Sequence, residues 1–165
     1  MKTVDGIRKC RGLALLAGAA MVAGMAFGED ALCDDSLKEL FPWFEIGEVV
    51  DAEKAAGLRH FNDFLPKPGV GGRVQYVIAN AGLPTNECAY VTLSVPERKV
   101  LEMRRDIACA TTNEAAARTA ALVEKFKPLG KSSGRKALAI YTPEGTGVSF
   151  TLSDAEYARK MSAAH

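Results

Sequence analysis

CAYVTLSVPERKVLEMRRDIACAT, residues 88–111, holds two alternating apolar runs joined by a charged turn. Ala89, Val91, Leu93 and Val95 share one face of the first run. Leu101, Met103, Ile107 and Cys109 share one face of the second, broken only by Arg105. Alternation of this kind is the period of a half-buried β-strand. With Glu97-Arg98-Lys99 as the loop, Val95 faces Leu101 and Leu93 faces Met103. The two apolar faces then coincide, as a hairpin covering a core requires.

Two cysteines bracket this hairpin, and their parity is awkward. In the register just given, Cys88 lies opposite Ala108 and Cys109 opposite Glu87, so the sulfurs point to opposite faces. A bulge near the strand ends would bring them together as a Cys88–Cys109 clasp. Otherwise Cys33 bonds one of them, tying the N-terminal segment to the sheet, or no bond forms. All three remain disulfide candidates. There is no C-x-x-C, and no histidine lies near these cysteines in sequence, which speaks against a redox pair.

Upstream, RVQYVIAN sets Val74, Tyr76 and Ile78 against Arg73, Gln75 and Val77, a third strand. AGLPTNE after it is turn chemistry. Before it, residues 45–73 read as irregular, with a weak strand at Glu48–Val50 and a helical turn at Ala52–Ala56. Pro66, Pro68, Gly69, Gly71 and Gly72 make a long loop. SLKELFPWF opens with a short helix placing Leu37, Leu40 and Phe41 on one face, stopped at Pro42. Trp43 and Phe44 follow as core anchors.

Downstream, TTNEAAARTAALVEKFKPLG is the clearest helix. Thr111 and Glu114 have capping-box spacing, and Ala115, Thr119, Leu122, Val123 and Phe126 line one face. Pro128 and Gly130 stop it. RKALAIYT and VSFTL are two more strands around the turn PEGTG, with Leu138, Ile140, Val148, Phe150 and Leu152 inward. Ser153 and Glu156 form a second capping box before a terminal helix that buries Tyr157, Ala158 and Met161. The expectation is an α+β fold: one antiparallel sheet of about five strands, a helix packed on one face, and short N- and C-terminal helices.

The first 28 residues stand apart. Lys2, Arg8, Lys9 and Arg11 precede an apolar run from Leu13 to Gly28, and Ala26-Phe27-Gly28 presents small residues where a signal peptidase reads. Residues 1–28 are therefore expected to be a secretory signal cleaved before Glu29, leaving 29–165 as one exported domain. The run is short and Ala/Gly-rich for a bilayer span, which needs about 20 apolar residues, so no stable membrane span is expected after cleavage. Of the chain's 21 Lys/Arg and 20 Asp/Glu, the leader takes four basic residues and Asp5, leaving 17 and 19. Such balance offers nucleic acid no attraction. Export also places Cys33, Cys88 and Cys109 where disulfides persist.

Catalytic and cofactor motifs are missing. His60 in GLRHFND has no nucleophile motif to serve, and three scattered cysteines with one histidine lack zinc spacing. PGVGGRV precedes a strand and LGKSSGRK follows a helix, the wrong contexts for a nucleotide loop. Asp34-Asp35 and Glu29-Asp30 lie near the new N-terminus, and Asp35 or Ser36 reads as a helix cap.

FEIGEVVDAEKAAG, CAYVTLSVPERKVLEMRR, EAAARTAALVEKFKPLG and LSDAEYARKM, spread from Phe44 to Met161, together resemble a recurring class of small exported bacterial domains without an assigned function. The resemblance implies the fold and export, and it brings no activity or functional residues. The resulting expectation is a periplasmic or secreted, non-enzymatic domain without catalytic, cofactor or metal residues. It binds an unknown protein or envelope component through Pro66, Lys67, Pro68 and Arg73 of the loop, with Arg98 and Lys99 of the hairpin turn. The alternatives are a structural or assembly accessory of the envelope and a small hydrolase inhibitor.

Overall fold

The computed structural model describes residues 34–126, 136–141 and 146–163. The leader, Glu29, Cys33, the Pro128–Gly130 stop, residues 142–145 and His165 lie outside them, as do the side chains of Phe126, Leu138 and Ile140.

The elements run α1 (Asp34–Leu40), α2 (Ala52–Ala55), β1 (Leu58–Phe64), β2 (Gly72–Ile78), β3 (Glu87–Val95), β4 (Val100–Ala108), α3 (Thr112–Phe126), β5 (Lys136–Tyr141), β6 (Gly147–Asp154) and α4 (Ala155–Ala163). The six strands form one antiparallel sheet in the order β1-β2-β3-β4-β6-β5. The fold is thus α+β with an antiparallel sheet at its centre. One face of that sheet carries Ile78, Ala89, Val91, Leu93, Val100, Met103, Phe150 and Leu152, all buried. Leu37 of α1 and Phe41 just after it close over it together with Phe44 and Val50. Phe41 stacks on Phe150 with ring centroids 6.2 Å apart. Trp43 packs at the margin, and its Nε1 donates to the Ala81 carbonyl at 3.2 Å. Helix α3 covers the same face further along, through Ala115 and Leu122 on Ile107, Cys109 and Val148.

Local chemistry explains most of these elements. Thr111 Oγ1 accepts from the Glu114 amide at 3.1 Å, and the Glu114 carboxylate accepts from the Ala110 amide at 2.8 Å. The capping box therefore forms, reaching one residue further back than its usual span. Asp51 caps α2 by accepting from the Lys54 amide at 2.8 Å. Glu48–Val50 makes only an isolated bridge, Val49 to Lys99. At Arg105 the polar break in the β4 pattern has a use: it pairs with Glu87 at 2.7 Å and donates to the Leu40 carbonyl at 3.3 Å. A cation there meets the negative end of α1 and fastens it to the sheet.

Three features differ from the sequence reading. The segment 58–64, read as irregular, is the edge strand β1. A bulge between His60 and Asn62 breaks its alternation, so no period of two could reveal it. The hairpin register also slides. Val91 pairs with Met103, a slide of two, and a bulge between Thr92 and Leu93 then shifts the pairing by one more, so that Leu93 meets Val100. The even slide keeps Met103 and Ile107 on the expected face, but the one-residue bulge turns Val100 rather than Leu101 into the core. Finally, the cap of α4 is Asp154, which accepts from the Tyr157 amide at 2.9 Å. Ser153 lies one residue too early, inside β6 and paired with Glu102 and Ala137, and its hydroxyl donates to Glu102 at 3.2 Å across the sheet.

Candidate functional site

The residues proposed for contact gather at one end of the sheet. Gly72 pairs with Val95, so the β1–β2 connection (residues 65–71) lies beside the β3–β4 turn. Lys67 and Val70 exchange amide hydrogen bonds at 3.1 and 2.9 Å, closing a tight turn in which Gly69 takes φ +74°. In the neighbouring turn, Arg98 sits at φ 57°, its amide bonded to the Ser94 carbonyl at 3.0 Å. Pro66, Pro68 and Lys99 are exposed, and Lys67 and Arg98 half-buried. Among the described residues, the exposed large hydrophobic side chains, Leu65, Val95 and Val49, belong to this end. Leu65 follows β1 directly, Val95 closes β3, and Val49 bridges Lys99.

Arg73 does not join this surface. It is 4% exposed, on the face of the sheet away from the apolar core. Its guanidinium donates to the Tyr157 hydroxyl and the Leu65 carbonyl, each at 3.2 Å, and contacts the Met161 sulfur at 2.8 Å. It lies over the Phe64 ring at 5.1 Å and Tyr157 at 6.0 Å. Arg73 is therefore the fastening of α4 to the sheet. Its position at the start of β2, opposite in parity to Val74, turns it inward beneath the helix.

His60 lies on edge strand β1 with more than half of its side chain in solvent, beside Asp63 at 3.0 Å and edge-on to Tyr76. No enclosing wall surrounds it among the described residues. Cys109 is a buried free thiol among Ile107, Ala115 and Val148. Burial pushes its ionisation up, with Glu114 adding to the effect. Cys88 pairs with Asp106 on the opposite face of the sheet. The Cys88–Cys109 clasp is thus not formed. No bulge falls between Cys88 and the strand end to correct the parity. Among the described residues, no three His, Cys, Asp or Glu side chains converge as a metal site, and no helix is long and apolar enough to cross a membrane.

A second site went unread in the sequence. Glu102, Arg104 and Asp106 alternate with the apolar residues of β4 and look like its solvent face. They line an enclosed polar layer instead. Arg73, Gln75, Thr92, Asp106, Thr151 and Ser153 are all buried, and these paired positions share one face of the sheet, the face on which Arg73 meets α4. Ser149 donates to Asp106 at 2.6 Å, and Gln75 to Thr92 at 3.4 Å. Arg104 stands over the Tyr90 ring at 4.4 Å, and its Nε is 3.3 Å from Asp106. The signal available beforehand was three charged side chains at spacing two within one strand. That pattern is the same whether the face is wet or covered.

Burial pushes the Glu102 carboxyl above its ordinary range, against the pull of Arg104, Ser153 and Arg73. Asp106 is raised for the same reason, opposed by Arg104 and Ser149. For such a group the native state binds its proton more tightly than the unfolded chain does. Its contribution to stability is complete below the ordinary carboxylate range and is lost as pH rises through the raised native value. Glu102→Gln is expected to be more stable than the parent near neutrality and to flatten that decline. Urea unfolding across the mildly acidic range measures it; an unchanged slope would show that the charge is already well solvated.

Comparison with protein families, with curated proteins and with solved structures finds no match to this chain.

Proposed function

We propose that this chain is an exported, non-catalytic binding domain that engages a protein or envelope component through the end of the sheet holding the 65–71 loop and the 96–99 turn. The observation that carries this reading is the grouping of Leu65, Val95 and Val49, exposed by 85%, 48% and 63%, at that one end. Scattered single apolar residues need no explanation, but a group on paired loops marks a contact surface. Lys67, Arg98 and Lys99 surround it with polar tips suited to the rim of an interface. The reciprocal Lys67–Val70 bonds hold the loop in one shape, which lowers the ordering cost of docking. That rigidity also favours the inhibitor reading, in which the same loop enters a hydrolase cleft. An assembly role through a spare thiol has less support, since Cys109 is enclosed by α3 and β6.

The test is affinity capture from envelope and culture-supernatant fractions, with parent protein and a Val49→Ser, Leu65→Ser, Val95→Ser triple variant. Burying one such side chain contributes about 1.5–3 kcal/mol, so the variant is expected to lose at least about tenfold in affinity for any enriched partner. Equal enrichment by both proteins would move the contact surface elsewhere.

A further inference from the structure

Tyr90 and Arg104 are direct cross-strand partners, and between them they carry three buried polar atoms without a hydrogen-bond partner in the protein. These are the Tyr90 hydroxyl and the Arg104 Nε and Nη2. Tyr90 itself is 1% exposed. Nε and Nη2 form one edge of the guanidinium, the side-on fork that takes two oxygens of a single group in its plane. Asp106 does not fill that fork. Its Oδ1 approaches Nε at 3.3 Å without hydrogen-bond alignment and is already engaged by Ser149. Buried donors are rarely left without an acceptor, because the desolvation cost stands uncompensated.

The charge balance says what kind of acceptor fits. Two guanidiniums, Arg73 and Arg104, stay cationic under all ordinary conditions. The two carboxyls of the same face, Glu102 and Asp106, are biased by burial toward their neutral forms. The layer therefore tends to a surplus of positive charge, with its free donors concentrated at Arg104 and Tyr90. Arg104 keeps 19% of its side chain in solvent, but Nε, Nη2 and the Tyr90 hydroxyl are themselves closed to it, so a small group would reach them only as the outer part of the side chain swings aside.

We propose that the Arg104 fork and the Tyr90 hydroxyl form a binding site for a small oxoanion, a carboxylate or a phosphate-type group presenting two or more acceptor oxygens. Thr151, the β6 partner of Arg104, and Ser149, the β6 partner of Asp106, border it with hydroxyls. The site is on the polar face and independent of the contact surface at the end of the sheet.

The test follows the Arg104 Nε–H resonance of the purified protein during titration with inorganic phosphate and, separately, acetate, at ionic strength held constant with chloride. A saturable displacement is expected with at least one probe, and the probe that saturates tells a tetrahedral from a planar ligand. Affinity is expected to fall tenfold or more in Tyr90→Phe and in Arg104→Lys, which keeps the charge and loses the fork. It is expected to rise in Asp106→Asn, which removes a competing anion. The Leu65→Ser change should leave it unaltered. A response no greater than that to chloride, or undiminished binding by Tyr90→Phe, would overturn the proposal. The titration of the parent protein decides the matter even if Arg104→Lys does not fold.

Discussion

Phe150→Ala is expected to lower the unfolding free energy by about 3–5 kcal/mol, the usual cost of emptying a fully buried aromatic position. Phe150 is 1% exposed in the middle of β6, on the apolar face, with Phe41 stacked against it. Neighbouring strands cannot collapse into the space, because their backbones are held by ladder hydrogen bonds on both sides of β6. The loss is comparable to the whole stability of a small domain, about 5–15 kcal/mol. It should also loosen α1, whose grip on the sheet runs through Phe41 and the Arg105 bond to Leu40. Urea unfolding measures the first effect and amide exchange across 34–40 the second. Phe150→Leu refills most of the volume, so it should recover well over half of the loss. A cost below about 1 kcal/mol for alanine would mean that the position is not the centre of the core.

Arg73→Met is the second large effect, and it acts on one element rather than the whole. Methionine keeps the apolar stem but loses the charged bonds to Tyr157 and Leu65 and the stacking on Phe64. A hydrogen bond to a charged group contributes about 1.5–3 kcal/mol and a buried cation–aromatic contact about 0.5–2, so the expected destabilisation is about 2–4 kcal/mol. Tyr157 is the buried residue of α4, and it meets the sheet through Arg73. Amides of 155–163 should therefore exchange faster in the variant while those of β3 and β4 change little. Glu102 offers a second readout. Arg73 is one of the groups holding its carboxyl down, so its ionisation should move further up in the variant. Uniform loss of protection, with Glu102 unmoved, would reduce Arg73 to ordinary packing.

Much of this architecture is legible from residue order. The β3–β4 hairpin, the Thr111–Glu114 box and the burial of Phe44 each act through neighbours within a few positions, and each appears in the fold. The errors share a cause. Strand β1 was invisible because its bulge abolishes the period, and the bulge is specified by pairing with β2. The two-residue slide in the hairpin body costs nothing in face matching, so pattern alone cannot choose between the registers, and the bulge that turns Val100 instead of Leu101 inward leaves no trace in the alternation. Ser153 looked like a cap because nothing nearby in the chain reveals Glu102, 51 residues away, as its acceptor.

The candidate sites divide along the same line. By itself, the order of residues determined that the 65–71 loop and the 96–99 turn carry proline, glycine and cations, and that Glu102, Arg104 and Asp106 share a face. Only the tertiary structure decided that Arg73 turns under α4, that no bulge brings Cys88 and Cys109 to one face, and that the charged face of β4 is enclosed. Alternation reports which side chains point the same way. Whether that side is wet depends on what packs over it from far along the chain, and with it the cost of every charge the face carries.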